Sequence, residues 1–277
     1  MSNPFLSLQN EKKVLIAAHR GSCGGNIPCN SLPSFQIALN YGADIIELDV
    51  ERASDGKFYI QHPGMEPVHL RMKDSITKYP SDVVSQMVLS NCDLNRTQYP
   101  IVRLEEALDY LKGKCIINLD KFYMNPEGIA KVVRERGMED QVLLKINMKD
   151  ASIDAVEQFA PDMPVMPMVW TEDDCLERFA HRNIRYVGSE CLFRNESDPI
   201  ASEEYIEKMH KAGKTLWANT IVYNYQTVLS AGHTDDVSVM GDPDNGWGWL
   251  ADRGFDIIQT DWTYHCYRYL KDTGRKN

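Results

Sequence analysis

Short apolar runs recur along the chain, separated by segments whose apolar residues repeat with the period of a helix. The runs predict strands at 14–18, 44–50, 57–61, 115–120, 141–146, 164–169, 185–188, 214–218 and 256–260. The amphipathic segments predict helices at 31–41, 103–112, 126–136, 151–160, 172–181, 201–212, 244–253 and 262–271. Ser202 followed by Glu203 and Glu204 gives one helix a start signal, with acids where the helix dipole favours them. Strands alternating with helices are the pattern of βα units on a parallel sheet. Setting 57–61 aside as a partner of 44–50 leaves about eight repeats. The fold class expected is therefore α/β, a TIM-type (β/α)8 barrel with a small excursion after the second strand. A stretch from Tyr223 to Trp249 is long for a βα connection and predicts an extended loop after the seventh strand. Such a loop often carries specificity.

Length supports one barrel: 277 residues against the roughly 250 such a fold needs. No Gly/Ser run, Pro-rich tract, charge block or internal repeat divides the chain, so 1–277 reads as a single domain. A formal net charge of −10 argues against nucleic acid or an anionic membrane surface as partner, but leaves room for a small anionic substrate at a locally positive site. The seven cysteines, at 23, 29, 92, 115, 175, 191 and 266, form no Cys-x-x-Cys pair and suggest neither a zinc ribbon nor a redox motif. Met1–Ser7 lacks the apolar core of a signal peptide, and no run approaches a transmembrane span. A soluble, cytoplasmic protein is expected from the sequence as it stands, or an exported one if a leader precedes it.

Chemistry belongs at the C-terminal ends of barrel strands. The polar residues closing the apolar runs are His19-Arg20, Glu47 with Asp49, Gln61-His62, and Asn118 with Asp120 and Lys121. Lys145 and Trp217 lie late in their strands. Glu47 and Asp49 are two apart and share a face, so they repel, and burial adds to the cost. A divalent cation with oxygen ligands, Mg²⁺ or Ca²⁺, resolves both problems. Two histidines from different strands suit a general acid and base near neutral pH. Arg20 and Lys145 suit phosphate oxygens, although each also has a structural reading as an ion-pair partner. The joint pattern points to phosphoryl transfer.

The stretch from His19 to Pro63 resembles the signature of the glycerophosphodiester phosphodiesterases. It carries His19-Arg20-Gly21, Pro28-Cys29-Asn30, Gly42-Ala43-Asp44, Glu47-Leu48-Asp49-Val50, Asp55-Gly56 and His62-Pro63. The segments 99–121 and 254–261 resemble later parts of the same family. The resemblance implies a metal-dependent phosphodiesterase acting on a small phosphodiester. His19 and His62 would be its acid/base pair, Arg20 a phosphate contact, and Glu47 and Asp49 metal ligands. Three positions depart from the pattern. Cys29 stands for the usual Glu and Pro63 for the usual Asp. Asn118 and Asp120 replace the family's Glu-x-Lys. Alternation aligns Asn118 with the third ligand, but a carboxylate holds a hard cation better, which favours Asp120. Lys145 is preferred over Lys121 as the replacement lysine, because Lys121 is expected to point away from Asp120.

Hydrolysis of glycerophosphodiesters to glycerol 3-phosphate and an alcohol is the leading expectation. One alternative is a lipid phosphodiesterase of the sphingomyelinase D type, which the two histidines, the Glu-x-Asp pair and Trp217 (read as a substrate contact) also resemble. Another is a barrel that binds a phosphorylated ligand without turning it over.

Overall fold

A computed structural model describes residues 5–224 and 226–277; the N-terminal reading at residues 1–4 and Tyr225 of the long loop lie outside the described residues. Eleven strands form among the described residues. They are β1 (Leu15–Ala18), β2 (Ile45–Arg52), β3 (Phe58–Ile60), β4 (Val88–Ser90), β5 (Arg96–Pro100), β6 (Ile116–Asp120), β7 (Val142–Ile146), β8 (Val165–Trp170), β9 (Gly188–Leu192), β10 (Thr215–Asn219) and β11 (Ile257–Thr260). Eight of these pair in parallel in the order β1-β2-β6-β7-β8-β9-β10-β11, and β11 pairs back onto β1. This is the closed barrel expected from the repeat count.

Alternation along each strand divides the apolar residues into two layers. Leu15, Ala17, Ile45, Ile116, Leu143, Met166, Trp217 and Ile257 meet inside the barrel as a buried floor. Their neighbours Ile16, Ile46, Leu48, Ile117, Leu119, Leu144 and Ile258 turn outward against the helices. Local signals set the helix starts. Ser31 and Ser34 form a reciprocal capping box at Leu32–Asn40, and the Ser202 hydroxyl accepts from Tyr205 N at the start of Glu203–Lys211.

The excursion is larger than the sequence suggested. β3 pairs antiparallel with β2, as expected. A hairpin of β4 and β5 follows, and Ala53, Tyr59, Leu70, Ile76, Val84, Leu89 and Ile101 form a small core of its own. The strand predicted at 185–188 begins only at Gly188 and runs through Ser189-Glu190-Cys191. Its polar residues hid it from an apolar-run criterion. Gly188 is required there, since a Cβ would lie 1.8 Å from the Thr215 carbonyl oxygen. The helix predicted at 172–181 shrinks to Cys175–Arg178 because Asp173 is tied to Ser189 and Tyr205 instead. The predicted 244–253 helix splits into a wide turn at Asp244–Gly248 and a short helix at Trp249–Arg253.

The barrel bottom is closed by charge. Asp44, almost fully buried, accepts from Ile16 N at 2.9 Å, Lys12 Nζ at 2.9 Å and Lys276 Nζ at 2.5 Å. Lys276 also donates to the Val14 carbonyl, so both chain ends are fastened to one carboxylate. Removing one partner of a buried pair leaves an uncompensated charge. Lys276→Met should destabilise the fold by about 3 kcal/mol in chemical denaturation, part of the loss being tempered by Lys12. An unchanged midpoint would show that the clamp is not structural.

Candidate active site

Three buried carboxylates converge where β2 and β6 run side by side. Register pairs Glu47 with Asn118 and Asp49 with Asp120. One oxygen from each of Glu47, Asp49 and Asp120 lies within 4.8 Å of the others. Asp120 is the residue of β6 that joins Glu47 and Asp49 in this group. Asn118 sits one layer deeper, where its amide donates to Leu143 O at 3.0 Å.

The turn after β1 supplies the positive charge. Arg20 adopts a left-handed backbone (φ 55°), which lets its N–H donate to Glu47 Oε2 at 3.0 Å and places Nε 2.9 Å from Asp49 Oδ2. Gly21 must follow, because at φ 78° a Cβ would lie 2.5 Å from Ser34 Oγ. Asn30, missed as a site residue, donates to Asp49 Oδ2 at 3.0 Å. The other oxygen, Asp49 Oδ1, has no hydrogen-bond partner among the described residues; His62 Nε2 and Lys121 Nζ each approach to 3.9 Å.

Lys121 corrects the expectation from alternation. Its left-handed backbone (φ 62°) ends the strand geometry and returns Nζ to within 2.5 Å of Asp120. Lys145, expected on the phosphate, instead pairs with Glu190 at 3.0 Å, both nearly fully buried. Trp217, expected near the mouth, lies mid-strand in the floor with no exposure.

The two histidines have different partners. His19 Nδ1 is 2.8 Å from Asp261 Oδ1. Burial pulls the His19 pKa down, but the hydrogen bond and charge of Asp261 outweigh it and leave it raised. His62 Nδ1 donates to the Pro63 carbonyl at 2.8 Å. The Pro63 carbonyl therefore fixes the ring, and Nε2 is the nitrogen facing Asp49. Burial holds the His62 pKa below its usual value, with Asp49 opposing. Among the carboxylates, burial and then Asp49 raise Glu47, whereas at Asp49 burial is opposed by Arg20, His62, Lys121 and His19, which together hold it low. Cys29, in place of the usual Glu, lies 3.4 Å from His69 Nε2, and burial pushes its thiol up to about 12. It is no thiolate nucleophile at neutral pH.

The long loop supports this arrangement through Asp261. Buried Asp235 accepts from Thr220, Thr260 and Trp247 through Oδ1 and from Asp261 N through Oδ2. The loop thereby holds Asp261, which holds His19. His19, Arg20, Cys23, Cys29, Asp261 and Trp262 open onto a cleft of about 410 Å³. Asp261 closes an apolar run and was findable by the strand-end rule. Asp235 gave no signal inside an irregular stretch.

The donor set suits a hard cation: three clustered carboxylates, one oxygen of Asp49 lacking a partner, and no thiolate. The fold and the site together define a (β/α)8 barrel with an acidic, histidine-flanked mouth.

Comparison with known proteins agrees. A glycerophosphodiester phosphodiesterase of Bacillus altitudinis is 32% identical over 139 residues, 47% of this chain and 56% of that protein, so the match spans just over half the relative's length. An uncharacterised protein of Bacillus subtilis, YqiK, is 26% identical over 207 residues, covering 72% of this chain and 78% of its own. Residues 163–270 match a family described as a domain of unknown function. In structure, a glycerophosphoryl diester phosphodiesterase from Parabacteroides distasonis superposes with a TM-score of 0.77 at 21% identity, over 94% of this chain and 87% of its own. An Oleispira antarctica phosphodiesterase solved with its product sn-glycerol-3-phosphate gives a TM-score of 0.65 at 18% identity, over 93% and 96%. The resemblance to the glycerophosphodiester phosphodiesterases read from the His19–Pro63 block is thus met in both sequence and fold. No helix among the described residues is long and apolar enough to cross a membrane.

The Asp261 contact makes a direct prediction. The His19 imidazole, followed by NMR titration, should titrate above the usual 6.5, and its midpoint should fall in Asp261→Asn. A midpoint indifferent to the substitution would remove Asp261 as its partner.

Proposed function

We propose that this protein hydrolyses glycerophosphodiesters to glycerol 3-phosphate and an alcohol, using a divalent cation and the histidines 19 and 62. The observation that carries the reading is a pair of differently partnered histidines beside one buried three-carboxylate cluster. Glu47, Asp49 and Asp120 would hold the cation, Mg²⁺ or Ca²⁺, which when bound offsets negative charge on the phosphoryl oxygens. His62 has its Nδ1 proton on the Pro63 carbonyl, so Nε2 is free to take the proton of the attacking glycerol 2-hydroxyl. The bond from phosphorus to the departing alcohol breaks, and His19, held by Asp261, gives its proton to that alkoxide. Water then opens the cyclic phosphodiester with the two roles reversed, restoring both histidines. Lys121 and Arg20 are the cations beside the carboxylates, and their spare N–H groups suit phosphate oxygens.

The test is a panel of glycerophosphodiesters assayed with Mg²⁺, with Ca²⁺ and with EDTA. Release of glycerol 3-phosphate should require the cation, and His19→Ala and His62→Ala should each lose about 10²–10⁴-fold. Full activity in excess chelator would contradict the metal. Equal turnover of a substrate lacking the 2-hydroxyl would replace internal attack by direct attack of water. No turnover of any member would favour a barrel that only binds a phosphorylated ligand.

A further inference from the structure

The cleft beside His19 does not end at its own wall. Trp262, which lines it, is 44% exposed and begins a row of four aromatic rings on the outside of the barrel. Centroid to centroid, Trp262 lies 5.3 Å from His265, His265 lies 5.9 Å from Tyr264, and Tyr264 lies 5.2 Å from Tyr41. Tyr41 and Tyr264 are 42% and 46% exposed, and His265 is exposed as well. Trp262 directly precedes the helix Thr263–Asp272, whose first turn carries Tyr264 and His265, while Tyr41 caps the end of Leu32–Asn40. A close contact holds these two helices together. At Gly42 (φ 90°) a Cβ would lie 2.4 Å from Tyr267 Cδ2, so glycine is what lets Tyr267 pack over the end of the first helix and brings Tyr41 beside Tyr264.

Single exposed aromatics are ordinary on a protein surface, whereas a contiguous exposed patch marks a binding surface. Its continuity with the cleft indicates which part of a ligand it meets. In the mechanism proposed above His19 gives its proton to the departing alcohol, so the row lies on that alcohol's side of the site. Every ring in it is amphipathic, apolar on its faces and polar at one edge, and no aliphatic side chain interrupts it. Successive rings are turned by 74°, 80° and 52°, so they present separate faces rather than one continuous apolar groove. That arrangement suits a chain of small rings with apolar faces and hydroxyl edges better than a hydrocarbon tail. Charge narrows the ligand further. Asp261 is engaged with His19 and Arg268 with Asp272, and a net charge of −10 repels a polyanion. An uncharged saccharide meets all of these conditions.

We propose that Trp262, His265, Tyr264 and Tyr41 form a saccharide-binding row, and that the diester cleaved beside it carries an uncharged oligosaccharide on its departing alcohol. The hydrolytic reading is needed only for the second half of this inference; the binding of sugar along the row does not depend on it.

Titration calorimetry of the whole protein in EDTA, with cellohexaose, maltohexaose and chitohexaose as probes, reads the row without metal or turnover. At least one hexaose should bind. Tyr264→Ala should weaken it about fivefold, the order of one lost ring contact, and Tyr264→Phe should restore it. Tyr264 is exposed, and thermal melts identify any variant that has lost its fold. In Mg²⁺, glycerophosphoglycerol should have a lower kcat/KM than the same diester bearing cellobiose on its departing glycerol, and Tyr264→Ala should reduce that preference by the same factor. No binding of any hexaose, or binding indifferent to Tyr264→Ala, would overturn the row. Dodecylphosphocholine micelles bound through Tyr264 in place of the sugars would overturn it in favour of a lipid surface. Sugar binding without the substrate preference would overturn the assignment to the departing alcohol. If a hexaose binds through the row and no diester is cleaved, the hydrolytic reading fails and the row stands. If diesters are cleaved and no hexaose binds, the reverse is true.

Discussion

Three carboxylates forced together in a buried pocket are the constraint around which this barrel is organised. At about 5 Å and an effective dielectric of about 20, each like-charged pair costs about 3 kcal/mol. A folded domain has only about 5–15 kcal/mol to spare, so such a cluster requires compensation. The chain provides part of it with Arg20 on Asp49, the Arg20 N–H on Glu47, and Lys121 on Asp120. Glu47 is the least compensated of the three, and its raised proton affinity follows from burial and from Asp49. A bound divalent cation would complete the balance.

Much of the surrounding geometry serves that cluster. The left-handed turns at Arg20, Asn30 and Lys121 are strained for side-chain-bearing residues, yet each directs a polar group onto a carboxylate. The long loop after β10 acts at one remove. Its Asp235 gathers four donors, fixes the backbone of Asp261 and so orients His19. The segment from Tyr223 to Trp249, long for a βα connection, thus helps to hold His19 in place.

The sequence revealed the barrel because apolar alternation and strand count depend on local chemistry. Glu47, Asp49, His19 and His62 were legible as polar residues ending apolar strands. Three things were not. Glu190 lies in a strand whose lumen-facing and outward residues are both partly polar, so no apolar run marked it. The direction of Lys121 depended on one backbone angle, which broke the alternation used to orient it. The hold on His62 left no mark in the sequence, because the ring is held by the Pro63 backbone carbonyl, a group that every residue type possesses.

The central claim is that Glu47, Asp49 and Asp120 share one divalent cation. The most direct measurement is anomalous diffraction from crystals soaked in Mn²⁺, which takes Mg²⁺-like oxygen sites. The account predicts one strong peak within about 2.5 Å of an oxygen from each of these three carboxylates, with Lys121 moved off Asp120. A peak ligated by Asn118 in place of Asp120, or no peak at the cluster while Mn²⁺ supports activity, would contradict it.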